Sequence, residues 1–142
     1  MLSVTDIALE IEEALRWQET PQPISHLEYK KMVIRGIKRL FIDTGRAALY
    51  DDELLDAGEN GWTYDYKFLI DEERYIILCA QIEFFRKVQT DVNKAMGYTT
   101  DALSVTGADK PFAHLQGTIN DLEAQRRELY YRMVRYTLIY PV

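Results

Sequence analysis

Apolar residues recur at steps of three and four along most of this chain, the spacing of one face of an α-helix. Four such segments stand out. The first is predicted to start at Ser3, which makes a capping-box-like pair with Asp6 while Leu2 and Ile7 take the flanking staple positions. Ile7, Ile11, Ala14 and Leu15 form its apolar stripe, Glu10, Glu12 and Glu13 face away, and Pro21 and Pro23 end it. The second has Ser25 as cap, Glu28 completing the box and Ile24 placed to staple onto Tyr29. Its apolar face runs Tyr29, Met32, Val33, Ile37, Leu40 and Phe41, and Gly45 supplies the stop. Lys30, Lys31, Arg35, Lys38 and Arg39 cover most of its other side.

The third helix is predicted from Asp71, as cap, to Met96, with Gly97 beyond its end. Glu72 and Glu73 in its first turn and Lys94 in its last both suit the helix dipole. Tyr75, Leu78, Ile82, Phe85, Val92 and Met96 make one apolar face, interrupted only by Gln89. Ile76, Ile77, Phe84 and Val88 make a second. A helix apolar on two sides belongs in the centre of the fold. The last helix is predicted to begin near Asp109-Lys110-Pro111, proline being tolerated in a first turn. Phe112, Leu115, Ile119, Leu122, Leu129, Met133, Tyr136 and Tyr140 keep steps of three and four, broken only by Arg126. That period implies packing along a partner helix at a shallow angle. At about 1.5 Å per residue the helix reaches roughly 45 Å, more than a compact domain of this size needs, so part of it is expected to project.

The remaining stretches are less regular. Asp51–Ala57 is read as a short helix, followed by a structured loop that holds the turn signal Asn60-Gly61 and the aromatics Trp62, Tyr64, Tyr66 and Phe68. Ala102-Leu103-Ser104-Val105-Thr106, inside the last connection, reads as a short extended piece. The expected fold is therefore all-α: a small helical bundle with a long central helix, a long C-terminal helix and irregular connecting loops. One domain is expected over 1–142, divided into an N-terminal helical extension (1–24), core helices and loops (25–110), and a C-terminal helix and tail (111–142).

Composition narrows the function. A chain of 142 residues with 47% hydrophobic residues can bury roughly 68% of its unfolded surface, which excludes a wholly disordered protein. The net charge of −6 argues against general nucleic-acid coating. Without a run of 18 apolar residues no membrane span is expected, and Met1–Glu13 lacks the basic-then-apolar order of a signal peptide. One Cys cannot close an internal disulfide, which fits a reducing compartment. The charge is strongly segregated: residues 25–46 carry six bases and two acids, residues 47–73 nine acids and one base. Adjacent blocks of opposite sign suit contact between copies, while paired surface charge within one chain accounts for them as well.

Catalytic chemistry is not expected. His26 and His114 lack ligand-spaced partners, and Cys79 lies among Ile77, Leu78 and Ile82 as a buried thiol would. No phosphate loop, nucleophile elbow or zinc-protease motif occurs. Asp51–Asp56 lacks the alternate acids and central glycine of a calcium loop. Arg35, Lys38 and Arg39 share one side of their helix, which keeps a helical DNA-binding or regulatory protein as the alternative reading. No cofactor or metal is expected.

The basic amphipathic helix Tyr29–Leu40, the Asp71-Glu72-Glu73-Arg74-Tyr75 start of the central helix, the extended Ala102–Gly107 segment and the long aromatic-bearing last helix together resemble a family. It is that of the head–tail connector proteins (adaptor or head-completion proteins) of tailed bacteriophages. The resemblance covers roughly residues 25–140 and is one of architecture, with no signature motif. It implies a structural virion protein of the phage neck, assembled in the host cytoplasm. Copies would form a ring, a dodecamer matching the portal, dock on the portal protein, extend the DNA channel and present a surface to a downstream neck or tail-completion protein. DNA would only pass through. The portal contact maps onto Tyr136, Leu138, Ile139, Tyr140 and Val142. Ring contacts are heterologous and need two complementary faces. Arg35, Lys38 and Arg39 against Asp51, Asp52, Glu53 and Asp56 are the candidates, with Trp62, Tyr64 and Tyr66 as aromatic anchors.

Overall fold

Leu2 and Ser3 serve two elements at once. In the computed structural model, which describes residues 1–15, 24–58, 61–98 and 109–139, they form strand β1 (Leu2–Ser3). The Ser3 hydroxyl meanwhile caps helix α1 (Val4–Leu15), accepting from the Asp6 amide at 3.2 Å. Helix α2 (His26–Asp43) starts as its cap predicts, with Ser25 accepting from the Glu28 amide. It ends at Gly45, whose φ of +72° gives the left-handed turn that glycine adopts without strain. Single 3-10 turns at Ala47–Leu49 and Asp52–Leu54 lead into strands β2 (Leu55–Gly58) and β3 (Gly61–Tyr64). Helices α3 (Ile70–Tyr98) and α4 (Asp109–Ile139) complete the chain.

The fold is mostly helical, with a small three-stranded antiparallel sheet in the order β1-β3-β2. This corrects the all-α expectation. Asp51–Ala57 forms one 3-10 turn and then a strand, paired Leu55↔Tyr64 through Gly58↔Gly61. The other edge of β3 pairs with the N-terminus, Leu2↔Tyr64 and Ser3↔Thr63. Leu55-Asp56-Ala57-Gly58 has no alternation of its own, and pairing with β3 across the hairpin makes it a strand. The Thr5 hydroxyl also accepts from the Trp62 amide at 2.7 Å, joining α1 to β3. A Cβ at Gly61 would lie 3.0 Å from that same oxygen, so glycine gives the space this contact needs.

The core lies where α1, α2, α3 and the sheet meet. Val4, Ile7, Ala8 and Ile11 of α1 face Met32, Val33, Ile37, Leu40 and Phe41 of α2 and Ile76, Ala80 and Phe84 of α3, all buried. Ala14, placed on the α1 stripe, is exposed. At Gly36 the α2 and α3 backbones approach closely: a Cβ there would sit 2.8 Å from the Ile76 carbonyl oxygen. Phe41 gathers Tyr50, Tyr64, Tyr66 and Phe68 around it, with ring centroids 5.2 to 6.5 Å away. Of the aromatic residues in this loop, Tyr64 and Phe68 are thus core, and Trp62 and Tyr66 are half-buried against it.

α3 is central as predicted, with Tyr75, Leu78, Ile82 and Phe85 buried on one side and Ile76, Phe84 and Val88 on the other. Its start differs from expectation. The helix begins at Ile70, and the buried Glu72 carboxylate reaches back to accept from the Leu69 amide at 3.0 Å. Asp71 instead accepts from Arg132 of α4 at 3.1 Å. α4 lies antiparallel along α3, held by Arg86–Glu123 and by Gln89 donating to Gln116 at 2.8 Å. Leu115, Ile119 and Leu129 are its buried stripe. The side chains of Phe112 and Tyr136, the residue Tyr140 and the extended piece 102–106 lie outside what the structure describes. α4 runs beside α3 for most of its length, and from Arg132, which meets Asp71 at the start of α3, it continues to Ile139. α3 in turn exceeds the 18-residue α2 by roughly 16 Å. Because Tyr75 meets Asp43 at the start of α3, this surplus falls at the far end of the α3–α4 pair.

Candidate functional site

The basic face of α2 is divided between two surroundings. Lys30 and Lys38 lean toward the sheet, each ammonium 5.2 Å from a ring centroid, of Trp62 and Tyr50 respectively. Arg35 and Arg39 turn toward α3: Arg35 pairs with Glu83 at 2.5 Å and reaches Glu28 at 3.9 Å, and Arg39 pairs with Asp43 at 3.1 Å. The residues expected to form one positive strip therefore do not act together.

The acidic residues do gather. Asp51, Asp52, Glu53 and Asp56 are all exposed around the 3-10 turn and the outer strand β2. The Asp51 carboxylate accepts from the Glu53 amide at 2.9 Å, and the Asp51 amide donates to the Tyr64 hydroxyl at 3.2 Å. None of these four acids has an ion-pair partner among the described residues. Tyr50 beside them is held protonated well above the usual tyrosine range, first by burial and then by Asp52. Of the aromatic candidates, Tyr64 is buried at 1% exposure and belongs to the core, which removes its side chain from any surface contact. Tyr66 is half-buried against Phe41 and accepts from Arg46 at 3.5 Å. Trp62, half-buried under Lys30, keeps part of its ring accessible.

A polar cleft of about 460 Å³ opens where α2, α3 and α4 meet, lined by Asp43, Tyr75, Arg86, Glu123, Arg126, Arg127 and Tyr130. The Tyr75 hydroxyl donates to Asp43 at its floor, and burial followed by this carboxylate holds the phenol well above its ordinary value. Arg126 reaches the Cys79 sulfur at 3.7 Å. Burial pushes the Cys79 thiol up, and Arg126 offsets only part of that rise, so the sulfur is a poor nucleophile. Arg86 pairs with Glu123, whereas Arg126 and Arg127 have no carboxylate partner among the described residues. The cleft escaped the sequence reading except for one signal, Arg126 standing where the α4 stripe wanted an apolar residue.

The end of the molecule at the start of α3 exposes several apolar side chains among charged ones. Leu69 and Ile70 are 60% and 79% exposed, and Tyr131 is 58% exposed beside the Arg132–Asp71 pair that ties α4 to this end. Ile42, exposed near the end of α2, lies at the same end through the Asp43–Tyr75 contact. The backbone of Tyr136, Leu138 and Ile139 continues α4 beyond it. Tyr140, Val142 and the side chains of the other three tail candidates lie outside the described residues. Among those residues no three potential metal ligands come together, and no helix is long and apolar enough to cross a membrane.

Class therefore rests on the fold alone: a helical bundle with an α-helical hairpin and a small sheet at its side. Comparison of the chain with protein-family models, curated proteins and solved structures found no match.

Proposed function

We infer that this chain is a structural protein of the tailed-phage neck, a head–tail connector that forms a ring on the portal. There it extends the DNA channel and offers an attachment surface to the next neck or tail protein. The observation that carries the reading is the set of exposed apolar side chains Ile42, Leu69, Ile70 and Tyr131 at one end, where α4 continues to Ile139 through a stretch without charge after Arg135. Exposed apolar side chains at one end of a subunit, followed by a stretch without charge, suit end-on docking into a larger assembly. The DNA-binding alternative has less support, because Arg35 and Arg39 spend their charge on Glu83 and Asp43.

The test is native mass spectrometry of the purified chain mixed with the portal ring encoded in the same genome. A complex carrying a ring of copies is expected. A chain ending at Arg135 should keep its helical circular dichroism and lose the complex. A full-length chain that stays monomeric and never binds portal would overturn the reading.

A further inference from the structure

We propose that the arginine cleft between α3 and α4 receives the acidic turn Asp51–Asp56 of a second copy of this chain. The proposal rests on the ring reading above and names the two faces that would meet.

Charge complementarity identifies the occupant. Arg126 and Arg127 line the cleft without an ion-pair partner among the described residues, while Arg86 there is already paired with Glu123. A guanidinium facing an open cleft is well placed to take a carboxylate from outside, where bidentate geometry is available. Among the described residues, the exposed set Asp51, Asp52, Glu53 and Asp56 is a cluster of carboxylates without ion-pair partners. They lie on the 3-10 turn and the outer strand β2, and the cleft, about 460 Å³, has room for one or two side chains.

The same chain cannot satisfy itself. Lys38 and Phe41 of α2 face Tyr50 and the acidic turn, whereas Arg39 and Asp43 face Tyr75 and the cleft. At about 100° per residue these two pairs stand roughly 150° apart around the helix. Turn and cleft therefore look out from nearly opposite sides of α2. Two complementary patches on opposite sides of one subunit make a head-to-tail contact, which repeats from copy to copy and closes a ring when the rotation allows. The positive partner of the acidic segment is thus moved from the face of α2 to the α3–α4 seam.

Charge reversal with complementation tests this. Arg127 is exposed, as are Asp52 and Glu53, so Arg127→Glu and the double variant Asp52→Lys, Glu53→Lys should both fold, which circular dichroism checks. Sedimentation of the full chain at low salt should show wild-type self-association that weakens as salt rises. Each variant alone should associate at least about tenfold more weakly. Their equimolar mixture should recover wild-type association, since each then meets the complementary charge on the other. A wild-type chain monomeric up to millimolar concentration, a folded variant associating like wild type, or a mixture without recovery would each overturn the contact. If rings form on portal equally well with either variant, this contact fails while the connector reading stands. Loss of portal binding by the wild type fails the reading itself.

Discussion

Gly36 and Gly117 both occupy helix interiors, yet replacing each with alanine should move stability in opposite directions. Alanine is favoured over glycine inside a helix by up to about 1 kcal/mol. At Gly117 a Cβ meets nothing within 4 Å, so Gly117→Ala should raise the urea midpoint by the equivalent of about 0.5–1 kcal/mol. At Gly36 the new Cβ would stand 2.8 Å from the Ile76 carbonyl oxygen and 3.3 Å from its Cγ2. Backbone cannot swing aside, and overpacking of this kind costs about 1–3 kcal/mol. Gly36→Ala should therefore lower the midpoint, and a rise would mean that α2 and α3 are not in close contact there. Helical period places Gly36 on the apolar face with Val33, Ile37 and Leu40 and Gly117 opposite Leu115, Ile119 and Leu122, but it does not tell how closely a neighbour approaches. Ile76, forty positions along the chain, decides. The same holds for the α3 cap: Asp71 is the better cap by type, but Glu72 takes the Leu69 amide because Arg46 fixes its carboxylate in place.

That Arg46–Glu72 pair ties the loop after α2 to the first turn of α3. Glu72 is the buried charged residue of the core, at 6% exposure, and loss of its cation strands a carboxylate out of water. Arg46→Met should cost about 2–3 kcal/mol in urea unfolding. Adding Glu72→Gln, which removes the charge but still accepts from Leu69, should recover much of that loss. A cost below about 0.5 kcal/mol, typical of an exposed pair, would show that the contact carries little. Among the elements, the four helices were legible because each carries a stripe at helical period, and α1 and α2 carry the caps their sequences offer. The β2–β3 hairpin was half legible: Asn60-Gly61 marked the turn, but β2 has no alternating pattern. Its strand conformation comes from β3, and that of Leu2–Ser3 from the same source.

For the molecule as a whole, burial of tyrosine sets the alkaline limit of stability. Tyr29, Tyr64 and Tyr75 are held protonated above their ordinary value of 10.0, in each case chiefly by burial. A phenol whose folded value is raised contributes stability that is complete below its unfolded value and is lost as pH climbs toward the folded one. Above pH 10 each such residue should remove about 1.4 kcal/mol per pH unit. The chain is expected to unfold cooperatively above that pH, with buried tyrosinate absorbance appearing together with the loss of circular dichroism. Smooth titration of all ten tyrosines near their ordinary value with helicity intact would contradict the burial of Tyr29, Tyr64 and Tyr75. The sequence by itself determined the helices, the two-sided burial of α3 and the segregation of charge, because periodicity, caps and composition are local properties. Only the tertiary structure decided the sheet, the inward turn of Tyr64 and Phe68, and which arginines remain without carboxylates. Strand pairing and charge neutralisation depend on what arrives from elsewhere in the chain, and no local pattern carries that.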